Sequence, residues 1–364
     1  MKVVLIAPGP PPFGGMALQA EALERHLRAE GIEAARVVTN PPLRGRIARA
    51  RGVRTVCQTG VYLASLARAL PGADVVHVLA ASYWYFFLRV VPAVLLGRCL
   101  GCRVVLNYRG GAAPRFFARW RGLLGAVLRL AHVVVVPSPF LERVFAQHGL
   151  RARVISNIVD LERFRFRKRE RLSPNLLVSR NLEPVYNVEL ALKAFARVKA
   201  KYPAARLEIL GSGTQEAQLK SWVRARNLKD VYFHGAVPNE DVPRYLERAD
   251  ILLNPSRVDN MPINLLEAFA AGVPVVSTRV GGIADLVGDE ESALLVEAGD
   301  DAAMAEKIEI LLGHPAKVRS ITAKAREICQ NFSWNAVRKD WLAAYNGQGL
   351  ASSQRAPAPV AEVK

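Results

Sequence analysis

Residues 254–278 read NPSRVDNMPINLLEAFAAGVPVVST, and this stretch decides the fold. The apolar run Ile251–Leu253 just before it predicts a buried parallel strand, and Val275–Thr278 predicts the next one. Between them Pro262 suits the first helical position, where its missing N–H has no intrahelical partner to lose. Leu265, Leu266, Phe269 and Ala270 supply an apolar face at helical spacing. Gly272 fits a left-handed C-terminal cap, and Pro274 blocks continuation. The product is a strand–loop–helix–strand unit whose helix start faces the carboxyl end of a sheet. Ligands bind there in open α/β sheets, and free N–H groups at a positive helix end favour phosphate.

Two carboxylates, Asp259 and Glu267, stand eight positions apart across this loop-to-helix junction. Acidic groups are electrostatically wrong for phosphate and right for sugar hydroxyls, whose protons they accept. A helix start for a diphosphate, with Glu267 one turn in and Asp259 on the loop before, suits a nucleoside-diphosphate sugar. A plainer reading makes Asp259 and Asn260 helix caps and Glu267 a solvated helix residue. Spacing alone leaves both open.

The stretch resembles the acid-x7-acid signature of the retaining glycosyltransferases of the GT4 family, which share the two-domain GT-B fold. That motif usually begins with Glu; here Asp259 stands first, in D-N-M-P followed by L-L-E-A. The resemblance implies an α/β protein of two Rossmann-like, doubly wound domains facing a central cleft. Residues 1–160 would bind the acceptor and 161–330 the nucleotide-sugar donor. A helix over 331–346 would cross back to the first domain, ahead of a disordered tail at 347–364 rich in Gly, Ser, Pro and Ala.

Length and composition agree with two globular domains: 364 residues, 51% hydrophobic and 23% charged. Four cysteines make no disulfide framework, and a lone C-x-x-C at Cys99 and Cys102 in an apolar context predicts buried thiols rather than a metal site. A reducing cytoplasm fits. Lys2 and its short apolar run, broken at Pro8–Pro12, give no secretory signal. Tyr83–Leu100 is the most membrane-like segment, but Arg89, Pro92 and Arg98 interrupt it, which predicts a core helix between two strands.

Charge is lopsided. Residues 1–165 hold 23 basic and 8 acidic residues, a net of +15 of the total +18. Arg44, Arg46, Arg49, Arg51 and Arg54 fall in one short stretch. Such a field recruits anions, and no nucleic-acid-binding motif accompanies it. An acidic membrane surface and a lipid-linked anionic acceptor fit best.

Along the chain, Val3–Ala7 predicts a strand, and Gly14 and Gly15 open the helix Met16–Glu30. The glycine pair resembles the loop by which many GT4 enzymes approach the donor phosphates. The strands Asp74–Leu79 and Val104–Asn107 follow, with His77 expected to be buried. Arg109 stands where the family often has His; Arg cannot serve as a base but can clamp a phosphate or carboxylate. Ser138 predicts a helix cap, and NIVDLERF resembles the interdomain linker, with Ile158 in place of Gly. The basic run Arg163–Arg171 reads as a solvated connection.

In the second domain the resemblance assigns Arg180 to the donor diphosphate. It places Asn187 where relatives carry a Lys, which removes one cation. Gly211, in the loop after strand Arg206–Leu210, would approach the donor, and the backbone near Val237 would meet the base. The diphosphate would rest on Arg180 and the N–H groups of Met261, Ile263 and Asn264 beside Asn260. Glu267 would hold ribose hydroxyls and Asp259 the donor sugar. His234 reads as structural, and Gly281–Asp285 as a turn packing beneath the sugar.

The expected activity is a metal-independent, retaining hexosyl transfer without cofactor, the nucleotide sugar being co-substrate. It would run in the cytoplasm, or peripherally on the inner face of the membrane. A non-catalytic sugar-nucleotide-binding partner and an epimerase on the same fold are the alternatives.

Overall fold

A computed structural model describes residues 1–9, 14–43 and 51–348. The chain divides into two compact units, one of Met1–Ile158 with the segment from Val337 onward, the other of Val159–Ala336. Each is built on a six-stranded sheet in which every paired neighbour is parallel.

The first sheet contains β1 (Lys2–Ala7), β2 (Glu33–Val38), β3 (Val75–Ala80), β4 (Arg103–Tyr108), β5 (Val133–Val136) and β6 (Arg153–Val154), in spatial order β2-β1-β3-β4-β5-β6. The second contains β7 (Asn175–Ser179), β8 (Arg206–Leu210), β9 (Val231–Gly235), β10 (Ile251–Asn254), β11 (Val275–Thr278) and β12 (Leu294–Val296), in order β12-β11-β10-β7-β8-β9. Central strands such as VVHVLA of β3 and ILLN of β10 are buried along their whole length, as strands covered by helices on both faces must be. In the second sheet the chain winds outward from β7 through β8 to β9, then returns to β10 and winds the other way. The switch point lies between β7 and β10, paired at Ile251↔Leu176 and Leu252↔Leu177.

Helix Ile263–Ala271 fills the crossover from β10 to β11 and ends at Gly272, which takes the left-handed conformation at φ +70°. Its start differs from expectation by one residue: Pro262 has extended backbone (φ −70°, ψ 120°) and precedes the first helical residue.

Two further expectations are corrected, those for the cysteine pair and for the basic run. Cys99 is exposed at a helix end while Cys102 is buried, so the pair is not a buried thiol couple. The helix expected within Tyr83–Leu100 is present between β3 and β4: a wide π-helical turn, Phe86–Val90, leads into helix Val91–Cys99, with Phe86, Val90, Ala93 and Val94 buried, while Trp84 at its start is 76% exposed. The run Arg163–Arg171 is not simply a solvated connection. Arg169 is buried and donates to the carbonyls of Leu246, Ala249, Ala271 and Gly272. It satisfies the carbonyl-rich ends of helices Val242–Arg248 and Ile263–Ala271, which lack intrahelical partners.

The first unit is closed by its C-terminal segment. Within helix Trp334–Asn346, Trp341 lies 4.9 Å from the buried His77 ring, and the Tyr345 hydroxyl is 2.8 Å from His77 Nδ1. Burial, with Arg109 nearby, lowers the His77 pKa to about 3, so the ring is neutral. The linker leaves this unit under a clamp: the Gln19 amide donates to the Ile158 carbonyl and accepts from its N–H, both at 2.7 Å. Arg44, Arg46 and Arg49 and the tail from Gly349 lie outside the described residues.

Candidate functional site

The polar cluster of the second unit sits where the switch point predicts a ligand. Arg180 follows β7 directly, and the loop carrying Asp259 follows β10. Arg180 Nε donates to Asn254 Oδ1 at 2.8 Å, and its Nη2 forms an ion pair with Asp259. The guanidinium also lies 4.8 Å over the ring of Tyr186. Ser256 Oγ donates to Asn254 Oδ1 at 3.1 Å, and Asn254 Nδ2 donates to Ser277 Oγ at 2.9 Å. Burial pushes the Asp259 carboxyl upward, against the pull of Arg180 and the Asn260 N–H.

Two glycines hold this backbone in place. Gly282 N–H donates to the Asp259 carbonyl at 3.0 Å. Gly281 has φ +55°, and a Cβ there would stand 2.0 Å from the same carbonyl oxygen. Gly211 at φ +130° packs as tightly, since its Cβ would come 2.1 Å from the Arg180 carbonyl. Both turns thus brace site residues from behind.

Glu267 is only 7% exposed, one turn into helix Ile263–Ala271, so it is not a solvated surface residue. Burial raises its pKa to about 7, against the favourable charges of Arg163 and Arg180. No hydrogen bond or ion pair among the described residues engages its carboxylate. Asn264, one turn earlier, has both amide atoms buried without a partner. No side chain caps the helix start, so Asp259 and Asn260 are not its caps. Buried polar groups are normally satisfied, and a cluster left open beside free helix N–H groups is built for something else to complete.

The other expected donor residues surround this cluster. Asn260 and Met261 are buried, Ile263 is half-buried at the first helical position, and Val237 packs against the apolar cluster that contains Met261 and Leu265. Asn187 is buried in the left-handed conformation (φ 48°, ψ 45°) at the head of helix Val188–Lys201, a backbone state that Asn tolerates well. Its Oδ1 accepts from Arg257 Nη2 at 3.2 Å. Sequence reasoning passed over Tyr186 and Arg257; both depend on the turn Pro184–Asn187 stacking on the loop after β10, and no local pattern announces that contact. His234 is a partly exposed neighbour of Tyr245, with ring centroids 5.0 Å apart.

Gly14, Gly15 and Arg109 belong to the first unit. Gly14 has φ −119°, and a Cβ would meet nothing within 4 Å, so the described structure places no steric demand for glycine there. Arg109 follows β4 and donates to Asn157 Oδ1. Burial lowers its pKa to about 10, which leaves it a cation at neutral pH. Among the described residues no group of three or more His, Cys, Asp or Glu is placed to hold a metal ion.

Two parallel sheets of doubly wound type, one carrying a phosphate-suited helix start with a buried carboxylate, define an α/β protein of the GT-B architecture. The chain belongs to the GT4-type glycosyltransferases: the family described as "Glycosyl transferases group 1" matches residues 161–328, and "Glycosyltransferase Family 4" matches residues 13–163. Among curated relatives, an exopolysaccharide phosphotransferase of Streptomyces coelicolor is 36% identical over 180 residues, 48% of this chain and 19% of that protein. An amylovoran biosynthesis glycosyltransferase, AmsK of Erwinia amylovora, is 32% identical, over 46% of this chain and 44% of its own length. The chain spans about half the length of the curated relatives it matches, or less. The crystal structure of HepE from Anabaena in complex with UDP-glucose superposes with a TM-score of 0.73 at 17% identity, covering 95% of this chain and 100% of that one. That likeness is one of fold.

Proposed function

We propose that this protein transfers a hexose-type sugar from a nucleoside-diphosphate sugar to a lipid-linked or polysaccharide-precursor acceptor, with retained anomeric configuration. The observation that carries this reading is the Glu267 carboxylate: buried, without a hydrogen-bond partner, one turn into a helix whose N–H groups stand free at a switch point. Its oxygens accept the two ribose hydroxyls, Asp259 accepts hydroxyls of the donor sugar, and the helix start with Arg180 faces the diphosphate. In the transfer, the bond from the anomeric carbon to the phosphate oxygen breaks and its electron pair goes to the phosphate. The acceptor oxygen bonds to the anomeric carbon on the same face, and its proton passes to the departing phosphate. Fixed cations and helix N–H groups stabilise the growing charge without a metal ion.

An acceptor carried on an acidic membrane surface is supported by the first unit. Residues 51–130 contain eleven arginines and one acid, Asp74. The helices of this region and the loop at Tyr83 expose Val53, Val56, Val61, Leu63, Tyr83, Trp84, Leu95, Leu100, Trp120 and Leu123. Arginine mixed with exposed tryptophan suits the boundary between acidic head groups and acyl chains. No helix among the described residues is long and apolar enough to cross a membrane, so the contact would be peripheral, from the cytoplasmic side.

Thermal midpoints with UDP, GDP, ADP and their sugars, on wild type and Glu267→Ala, test the donor reading. A ligand that binds only the folded state raises the midpoint, and the variant should lose that rise. No rise with any nucleotide at millimolar concentration ends it. Turnover by the binding pair then separates a transferase from a non-catalytic binding partner.

A further inference from the structure

The site contains two guanidinium groups in contact with the turn Pro184–Asn187, and they differ in whether a carboxylate offsets their charge. Arg180, over Tyr186, is already neutralised: its Nη2 is paired with Asp259, and both side chains are nearly enclosed, at 11% and 12% exposure. Arg257 is exposed and meets no carboxylate within ion-pair distance among the described residues. It is nevertheless held. Its backbone N–H donates to the Val185 carbonyl at 2.8 Å, and its Nη2 donates to Asn187 Oδ1 at 3.2 Å. The Asn187 side chain is fixed in turn, being buried at the head of a helix in a left-handed conformation.

We propose that Arg257 is the cation that binds the donor diphosphate at this site, and that Asn187 is the residue that positions it. The proposal rests on the donor-site reading above and deepens it. A diphosphate needs net positive charge that is not already spent, and a compensated Arg180–Asp259 pair supplies hydrogen bonds with little net field. Arg257 supplies the field. A guanidinium also forks onto two phosphate oxygens at once, which a single ammonium does not. Tethering through a neutral amide leaves its full charge for the ligand; a carboxylate at position 187 would cancel it. The absence of a lysine at Asn187 is thereby explained from the other side of the turn: the cation comes from the loop after β10.

Isothermal titration of the full chain with UDP, GDP and ADP, alongside the matching nucleosides, tests this. Arg257→Ala should weaken the nucleoside diphosphate about tenfold to a hundredfold, the loss expected of a charge-assisted contact. It should leave the bare nucleoside unchanged and flatten the dependence of affinity on salt. Arg257→Lys should recover part of the loss. Asn187→Gly, which keeps the left-handed backbone, should weaken the diphosphate less than Arg257→Ala, and Asn187→Asp should weaken it more than Asn187→Gly. A merely structural role for Asn187 predicts instead equal effects on nucleoside and diphosphate. Equal diphosphate affinity in wild type and Arg257→Ala overturns the proposal while leaving the donor site standing, provided Glu267→Ala abolishes binding. If wild type binds none of the three diphosphates, both fall together.

Discussion

The two units share a parallel six-stranded plan and dispose of their charges in opposite ways. In the second unit surface charges find each other: Lys201 pairs with Glu309, Arg197 with Asp301, and Glu290 with both Lys307 and Lys317. Its enclosed arginines are fully used, Arg169 reaching five carbonyls and Arg180 an aspartate. In the first unit the stretch 51–130 has one acid for eleven arginines, so pairing within it is arithmetically impossible. Exposed large hydrophobics follow the same division, ten on the helical layer of the first unit against Val185, Tyr232 and Val258 in the second. A surface closed on itself marks a unit whose partner enters a pocket. On the proposed reading, a surface with unspent charge and bare tryptophan belongs to the unit whose partner is a surface.

The sharpest way to break the comparison is to open the closed unit. Arg169→Met keeps the volume and removes every donor, leaving the helix-end carbonyls of Leu246, Ala249 and Gly272 unsatisfied, while Ala271 keeps only the Arg167 N–H. Losses of about 3–5 kcal/mol are expected from such a buried deletion, read as a fall in the chemical-denaturation midpoint. Arg169→Lys should rescue little, because one ammonium cannot span the ends of two helices. A loss below about 1 kcal/mol for Arg169→Met would mean that water replaces the guanidinium and that the linker is solvated after all.

Glu267 gives the next largest effect. Burial raises its pKa from an ordinary 4.5 to about 7, so between those values the folded state holds a proton that the unfolded chain has released. Stability contributed by this group is therefore present below about pH 4.5 and is lost as pH rises to about 7. The loss is on the order of 3 kcal/mol. Urea unfolding of wild type against Glu267→Gln should show this descending limb in wild type and its absence in the variant. Bound nucleotide should flatten it too, since two hydroxyl donors favour the ionised form. Parallel curves for the two proteins would place the carboxylate in water.

Much of this site was legible in sequence, and the reason is locality. The run from Ile251 to Thr278 writes a strand, a helix stop and a second strand in adjacent residues, each with its own rule. The spacing of Asp259 and Glu267 needs no tertiary knowledge. The expected role of Arg180 rested on family resemblance, because nothing beside it in the chain points to its pairing with Asp259. What escaped was long-range: Arg257 meets Asn187 across 70 positions and Arg169 meets Gly272 across 103. Basic residues carry no periodicity that tells a solvated run from a buried clamp, and burial alone separates Arg169 from Arg171. Strand β2, EAARVV, was missed because it lies at a sheet edge with only Ala34 and Val37 buried, so it lacks the apolar run that marked its neighbours.

The smallest expected effect per residue probes the open unit. Helix Ala113–Leu130 has no acidic residue, and Arg115, Arg119 and Arg121 are exposed near Trp120 and Leu123. Each arginine near an acidic bilayer contributes about 1 kcal/mol, roughly a fivefold change in partitioning. Sedimentation with vesicles rich in phosphatidylglycerol should therefore fall about fivefold for each of Arg115→Gln, Arg119→Gln and Arg121→Gln. Binding should also fall with added salt, and for Trp84→Ala it should fall by an increment that salt does not change. Lys220→Gln, Arg224→Gln and Arg244→Gln are the matched controls on the second unit, where Lys220 already pairs with Glu216 and Arg244 with Asp241. If those three weaken sedimentation as much, net charge alone drives binding and the two surfaces are equivalent. If only the first set does, the unpaired arginines and the bare tryptophan act together as one face, and the first unit meets a membrane while the second stays closed over its donor.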